Sequence, residues 1–150
     1  MAEVVAFVAS VIALAQLADR VVQLSKFYLD ALKDCPREIR VILVEVSSLN
    51  AILQSLSFLI QTPSGADQSL GLLQQLSGRD GPIEGCQKAI AALEKLLPED
   101  VKTAANKRKT LEAAISQLAW PRKRSRAREL LDQVMRYKTS ISIAVTCETS

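Results

Sequence analysis

Histidine is absent from the 150-residue chain. This absence excludes acid–base catalysis by imidazole, nucleophiles activated by histidine, and metal sites with histidine ligands. The three cysteines, Cys35, Cys86 and Cys147, are too far apart for a Cys-x-x-Cys metal or redox site, and their odd number and low density are typical of a reducing compartment. No P-loop, G-x-S-x-G or H-E-x-x-H motif occurs. We therefore expect a protein that is not an enzyme and binds no cofactor and no metal.

Aromatic residues and glycine are also scarce. The chain has one tryptophan, two tyrosines, three phenylalanines and five glycines, whereas a β-sandwich usually holds more of both kinds. Hydrophobic residues make up 49% of the chain and charged residues 23%, which argues against disorder. Long aliphatic and alanine-rich stretches without glycine or proline favour helices. We predict one all-α domain over residues 1–150, a bundle of four to five long helices.

The first two predicted helices are separated by a proline. The first covers residues 1–33 and ends at Asp34-Cys35-Pro36, because the residue before a proline disfavours helical geometry. The second runs from Pro36 to about Gln61, and its apolar residues recur at alternating spacings of three and four, as in helices that pack together. These residues are Ile39, Ile42, Val46, Leu49, Leu53, Leu56 and Ile60. Glu38 and Glu45 share a face of this helix and are expected to be solvated.

A glycine-rich insertion separates the second and third main helices. Four of the five glycines lie between Gly65 and Gly81, and a short helix is predicted over Asp67–Leu76 through Leu70, Leu73 and Leu76. The third helix begins near Pro82 and is predicted to bury Ile83, Cys86, Ile90, Leu93 and Leu97.

Two further helices complete the predicted bundle. One covers Val101–Ala119. The last follows a corner at Trp120-Pro121 and begins at Ser125 or at Arg122. It is predicted to bury Leu130, Val134, Tyr137, Ile141 and Ala144.

The residues Val4–Ala18 form an uncharged run that we call the apolar segment. As a helix it would span about 22 Å, less than the hydrocarbon core of about 30 Å, so we do not expect a permanent transmembrane helix. A secretory signal peptide is disfavoured because Glu3 precedes the run and the apolar pattern continues to Leu32.

Two compatible interpretations of the apolar segment remain. It is a core helix of the resting bundle, and it can leave the bundle and enter a bilayer when the protein is activated. The residues that would enter the bilayer are Val4, Val5, Phe7, Val8, Val11, Ile12, Leu14 and Leu17.

The net charge of +3 is unevenly distributed, since Lys102–Arg128 holds nine basic residues and one acid, Glu112. Such a stretch can contact anionic lipid headgroups, bind nucleic-acid phosphates or form a solvated surface. No aromatic side chains are interleaved to stack on bases, because Trp120 is alone and is expected in the core. Nucleic acid is therefore disfavoured, and a solvated surface and contact with lipid headgroups both remain open. The predicted headgroup-binding residues are Lys107, Arg108, Lys109, Arg122, Lys123, Arg124, Arg126 and Arg128.

Three stretches together resemble one known family. They are Met1–Leu24; Leu29–Leu53, with its proline turn and Ser48-Leu49-Asn50; and Leu118–Val145, with Trp120-Pro121, the basic run and Arg136-Tyr137-Lys138. In this order they resemble the fungal HeLo-like domain, the N-terminal domain of fungal STAND (NLR-type) receptors. The resemblance implies a helical bundle similar to HeLo domains and to the four-helix bundle of the necroptosis pseudokinase.

The resemblance also implies a function in regulated cell death, as part of innate immunity or incompatibility. Such a domain is cytoplasmic, forms homo-oligomers, relocates to the plasma membrane and permeabilises it with its N-terminal segment. Its partners would be anionic membrane lipids and an upstream STAND or NLR-type receptor or fused signalling domain. One alternative is a soluble adaptor that binds other proteins without entering lipid. Another is a helical protein that binds nucleic acid.

Overall fold

Four long helices form the part of the chain that the computed structural model describes, which is residues 2–31, 35–61, 71–72, 74–78, 81–97 and 120–149. The helices are α1 (Ala2–Ala31), α2 (Arg37–Gln61), α3 (Pro82–Leu96) and α4 (Trp120–Thr149). No strand occurs in these ranges, and the all-α prediction is confirmed. The helix predicted over Val101–Ala119 lies outside the described residues.

The starts of α2 and α3 follow the sequence signals. α1 ends before Pro36, and α2 begins directly after it, with the Ile39 amide donating to the Pro36 carbonyl at 3.1 Å. α3 begins at Pro82 as predicted. The turn before it contains Gly78, whose φ of +109° is a conformation that glycine adopts without strain, and the Gly81 amide donates to the Gly78 carbonyl.

The predicted start of the last helix is wrong. α4 begins at Trp120, before both Arg122 and Ser125, so Trp120 and Pro121 belong to the helix. The physical reason is that Pro121 lies in the first turn of the helix. The amides of that turn have no partner within the helix, so the missing N–H of proline costs nothing there.

Each helix packs chiefly against two others. α1 and α4 both pack against α2 and α3, so the order around the bundle is α1, α2, α4, α3. α1 and α2 are antiparallel because only a short connection joins them. α2 and α4 are parallel, since Glu38 pairs with Arg124 while Glu45, further along α2, pairs with Lys138, further along α4.

The core contains the apolar residues that the spacing predicts. All seven predicted residues of α2 and all five of the third helix are buried. In α4, Leu130, Val134, Ile141 and Ala144 are buried, and Tyr137 is partly buried against the core. Trp120 is buried, as expected. In the insertion, Leu76 is buried as predicted, and Leu72 joins the core although the pattern did not include it.

α3 and α4 approach each other closely at Gly85. A Cβ atom at this position would lie 2.7 Å from Cε1 of Tyr137 and would overlap the end of its ring. Glycine is therefore favoured here by the position of the tyrosine and not by the backbone conformation, since Gly85 lies within a regular helix and a larger residue would require the ring to move.

Candidate functional site

The apolar segment lies in α1, and its side chains alternate between the core and the outer face. Phe7, Val11, Leu14 and Leu17 are buried. Val4 and Val8 are partly exposed, Val5 is 69% exposed and Ile12 is 38% exposed. The structure thus places the eight predicted membrane-entering residues on one helix but not on one surface.

The outer face of the apolar segment is uncharged and largely apolar, with Gln16 exposed and Ser10 partly exposed as its polar residues. Ala6, Ala9 and Ala13 are exposed together with Val5 and Ile12, and the first charged residue that follows is Asp19. An ordinary amphipathic surface helix would carry polar or charged residues on this face. The uncharged character therefore extends around the whole helix over this segment.

Two serine hydroxyls of α1 are bonded within the helix itself. The Ser10 hydroxyl donates to the Ala6 carbonyl at 3.0 Å, and the buried Ser25 hydroxyl donates to the Val21 carbonyl at 2.8 Å. Both bonds join residues four apart in the same helix, so they do not depend on the contacts of the helix with the rest of the bundle. Within the described residues, the ion pair that joins α1 to another helix is Arg20 with Glu94 of α3, at 3.0 Å, with the arginine side chain 59% and the glutamate side chain 28% exposed.

Among the described residues, two helices are long and apolar enough to cross a membrane, by length and composition alone. They cover Val4–Asp30 in α1 and Arg37–Gln61 in α2. Of the most apolar 18-residue window, 33% is buried in α1 and 28% in α2. A core helix of a soluble protein and a signal sequence have the same length and composition, so this property alone does not identify a membrane span.

Five of the eight predicted headgroup-binding residues lie in the first turns of α4, and we call this set the basic face. It consists of Arg122, Lys123, Arg124, Arg126 and Arg128. Arg122 is exposed and Lys123 partly exposed, while Arg126 pairs with Glu129 of the same helix at 3.1 Å. The other three predicted residues, Lys107, Arg108 and Lys109, lie outside the described residues.

A buried carboxylate holds part of the basic face. Glu38, in the first turn of α2, is 5% exposed. Its Oε1 accepts hydrogen bonds from Trp120 Nε1 at 3.1 Å and from Arg124 Nε at 2.8 Å, and its Oε2 lies 3.7 Å from Arg128 Nη2. We call these four residues the Glu38 cluster. The prediction that Glu38 is solvated is wrong, because α4 supplies donors that offset its burial.

Burial alone would raise the pKa of the Glu38 carboxyl. The hydrogen bonds from Trp120 and Arg124 and the positive charges of Arg124 and Arg128 act in the opposite direction and are stronger, so the net pKa lies below its ordinary value. The carboxylate is therefore ionised at neutral pH. Its negative charge also offsets the unfavourable placement of basic residues at the positive end of α4.

Glu45 makes the second charged contact between α2 and α4. Its Oε2 lies 2.6 Å from Lys138 Nζ, and both side chains are mostly buried. The expectation of solvation is therefore wrong for this glutamate as well. The two acids share a face of α2, as the spacing predicts, but that face is turned toward α4.

The two cysteines whose thiol pKa is shifted, Cys35 and Cys86, are not activated nucleophiles. Burial raises the pKa of the Cys86 thiol to about 12. Burial also raises the pKa of Cys35, to about 11, although the charge of Arg40 acts against it. Both thiols stay protonated at neutral pH. Over the described parts of the chain, no group of three or more His, Cys, Asp or Glu side chains could hold a metal ion.

Sequence reasoning found the apolar segment and the basic face but missed the Glu38 cluster. One available signal was the density of basic residues at the start of the last helix, which is unfavourable unless an acidic group lies nearby. That signal indicates a partner without identifying which of the 16 acidic residues supplies it.

These features define the class of protein as an α-helical bundle domain with an uncharged N-terminal helix segment and a basic face on its C-terminal helix. The family model "Pigment biosynthesis cluster protein PigL N-terminal" matches residues 2–149, and the chain belongs to this family. No curated protein and no solved structure matches the chain. The matched family is not the HeLo-like family by name, so the HeLo-like and NLR assignment stays a prediction.

Proposed function

We propose that this domain is a non-enzymatic, membrane-permeabilising effector that acts after oligomerisation. In this proposal it is cytoplasmic at rest, receives its signal from a STAND or NLR-type receptor, and moves to the anionic inner surface of the plasma membrane. The observation that supports the proposal is that Val4–Ala18 carries no charge on either its buried or its exposed face. Its family-level support is the resemblance to HeLo-like domains.

Within the described residues, α1 can leave the bundle without separating a buried carboxylate from its partner. Its described contacts with α2 and α3 are chiefly aliphatic, and lipid tails can replace such contacts because they are as apolar as leucine. α2 is equally long and apolar, but its departure would separate Glu38 and Glu45 from their partners on α4. Hydrocarbon offers no donor that could replace the lost partner of a carboxylate, so α2 is expected to stay with α4.

The polar groups of α1 fit the same distinction. The Ser10 hydroxyl is already bonded within the helix, so it brings no unsatisfied donor into lipid. The ion pair between Arg20 and Glu94 is exposed, and such pairs contribute at most about 1 kcal/mol. Asp19 and Arg20 follow the apolar segment directly and would lie at headgroup level once it is inserted.

A soluble adaptor function is the alternative, and one observation favours it. Large apolar side chains are exposed on helices other than α1, namely Val44 and Phe58 on α2 and Met135 and Ile143 on α4. Such residues can contact a partner protein in the resting fold without any lipid. An adaptor would form oligomers that depend on its partner and are unaffected by membranes.

The experiment that tests the proposal is dye leakage from phosphatidylserine-containing liposomes. The full chain is clustered through a fused trimeric coiled coil, and the wild type is compared with Ile12→Lys. Ile12 lies near the middle of the apolar segment and is partly exposed, so a lysine leaves the fold intact but places a charge in lipid. A central lysine costs about 3 kcal/mol on insertion scales, so leakage should fall at least tenfold.

Gln23→Lys is the matched control, because it adds the same charge at an exposed position of α1 beyond the apolar segment. It should leak like the wild type. Far-UV circular dichroism and urea unfolding establish that each variant is folded. If the clustered wild type binds liposomes without leakage, or if both variants leak alike, the adaptor function is the better explanation.

A further inference from the structure

The basic face carries its own counter-charge. Five basic residues occur between positions 122 and 128, and two of them, Arg124 and Arg128, lie within 4 Å of the Glu38 carboxylate. Both arginine side chains are about half exposed or more, while that of Glu38 is 6% exposed. The negative charge is therefore fixed beneath these two arginines and cannot move away from them as a solvated side chain could.

The position of Glu38 is fixed from both sides. Its backbone belongs to the first turn of α2, and its Oε1 accepts a hydrogen bond from the buried Trp120 indole as well as from Arg124. An external anion that contacts Arg124 thus meets a guanidinium whose charge is already partly compensated. Exchanging the internal carboxylate for the external anion would leave a buried charge without its strongest partner, which is costly.

We propose that Glu38 is an intramolecular counter-ion that keeps the affinity of the basic face for the phosphate groups of an anionic membrane low. A single copy then binds such a surface weakly, and binding requires several copies at once, because linked sites multiply their affinities. This inference rests on the proposed membrane function and adds the reason why clustering is needed. Glu38 acts through the arginines and need not touch lipid itself.

Glu45 provides the matched control for this role. It lies two turns further along α2, pairs with α4 as Glu38 does, and is also mostly buried. Its partner is Lys138, which does not belong to the basic face. Glu38→Gln and Glu45→Gln each remove one negative charge from the α2–α4 boundary, so the two variants have the same net charge and differ only in its location.

The experiment measures binding of the unclustered full chain to two probes. The first is vesicles of phosphatidylserine and phosphatidylcholine in about 0.15 M salt, and the second is soluble tripolyphosphate. Glu38→Gln should bind both probes at least about fivefold more tightly than the wild type, because each basic residue near an anionic surface raises the affinity by about fivefold. Glu45→Gln should remain within twofold of the wild type.

A second set of variants keeps the result interpretable if folding changes. Glu38→Gln retains an acceptor for Trp120 and Arg124, and the emission of Trp120, the single tryptophan, reports whether the cluster is intact. In a background of Arg124→Gln and Arg128→Gln, the change at Glu38 should give no gain in binding. A gain that persists without these arginines overturns the proposal.

The outcomes separate this proposal from the membrane function. If Glu38→Gln and Glu45→Gln bind alike, or if neither probe binds any variant, Glu38 is not a counter-ion for phosphate. If tripolyphosphate binds Glu38→Gln more tightly than Glu45→Gln while vesicles bind none of them, the counter-ion role is supported and the membrane function fails. If the clustered wild type permeabilises vesicles while Glu38→Gln shows no gain, the membrane function is supported and the counter-ion role fails.

Discussion

Glu45 of α2 and Lys138 of α4 are 2.6 Å apart, and both side chains are more than three-quarters buried. Together with the Glu38 cluster, this pair gives the α2–α4 boundary two fixed charged contacts, whereas α1 is held mainly by apolar packing. The bundle therefore combines two kinds of interface. One requires a particular partner side chain, and the other requires only an apolar environment.

Replacement of Lys138 by methionine should destabilise the bundle. Methionine keeps most of the apolar volume of lysine but leaves the Glu45 carboxylate mostly buried without its cation. The expected loss is about 1–3 kcal/mol in the free energy of unfolding, measured by urea denaturation. The double variant Glu45→Gln with Lys138→Met should recover part of this loss. Equal stability of the wild type and Lys138→Met would show that the pair contributes nothing net.

The stability contributed by Glu38 should depend on pH with a defined sign. The folded-state pKa of Glu38 is lowered, whereas a glutamate in the unfolded chain has a pKa of about 4.3. Ionised Glu38 therefore stabilises the fold at pH values above the unfolded-state pKa. This contribution is lost as the pH falls through the folded-state pKa.

The measurement compares the free energies of unfolding of the wild type and Glu38→Gln over a range of pH. Their difference should be constant from pH 7 to about pH 5 and should change below that, in the direction that disfavours the wild type. The difference between the two proteins is used because all 16 acidic residues can contribute to the pH dependence of the wild-type free energy of unfolding at acidic pH. A difference that stays constant down to the acid transition would contradict the pairing of this carboxylate.

Gly85→Ala should destabilise the contact between α3 and α4. The added methyl would lie 2.7 Å from Cε1 of Tyr137, so the tyrosine ring must move. Overpacking of this kind costs about 1–3 kcal/mol, against a gain of about 1 kcal/mol in helix propensity. We expect a net loss in urea denaturation. Tyr137→Leu in the same chain should remove the overlap and restore the benefit of alanine, and a lack of any rescue would contradict this explanation.

The sequence predicts the helices well where burial alone decides the pattern. Every residue that the apolar spacing along the second and third helices predicts to be in the core is buried. The spacing is informative because a helix with one buried face repeats its apolar residues every three to four positions. Proline and glycine identify the connections at Pro36 and Pro82 for a similarly local reason. The start of α4 is missed because Trp120-Pro121 is compatible both with a corner and with the first turn of a helix.

The charged contacts could not be predicted from the same information. Glu38 and Arg124 are 86 residues apart in the sequence, and no periodicity specifies which faces of two distant helices meet. Most carboxylates at the start of a helix lie in solvent, so the burial of Glu38 is not expected from its position. Which glutamate becomes buried depends on where Trp120 and the basic face are placed by the packing of the described helices.

The surface of α2 and α3 that receives α1 has a consequence beyond a single copy. If a first helix departs into lipid as proposed, the trough that it occupied is left open, and the shape of this trough is complementary to the first helix of every neighbouring copy. A neighbour can fill that trough with its own first helix and so vacate the equivalent place in its own bundle. Each exchange would in this way leave an empty first-helix site in the next copy along a row of molecules.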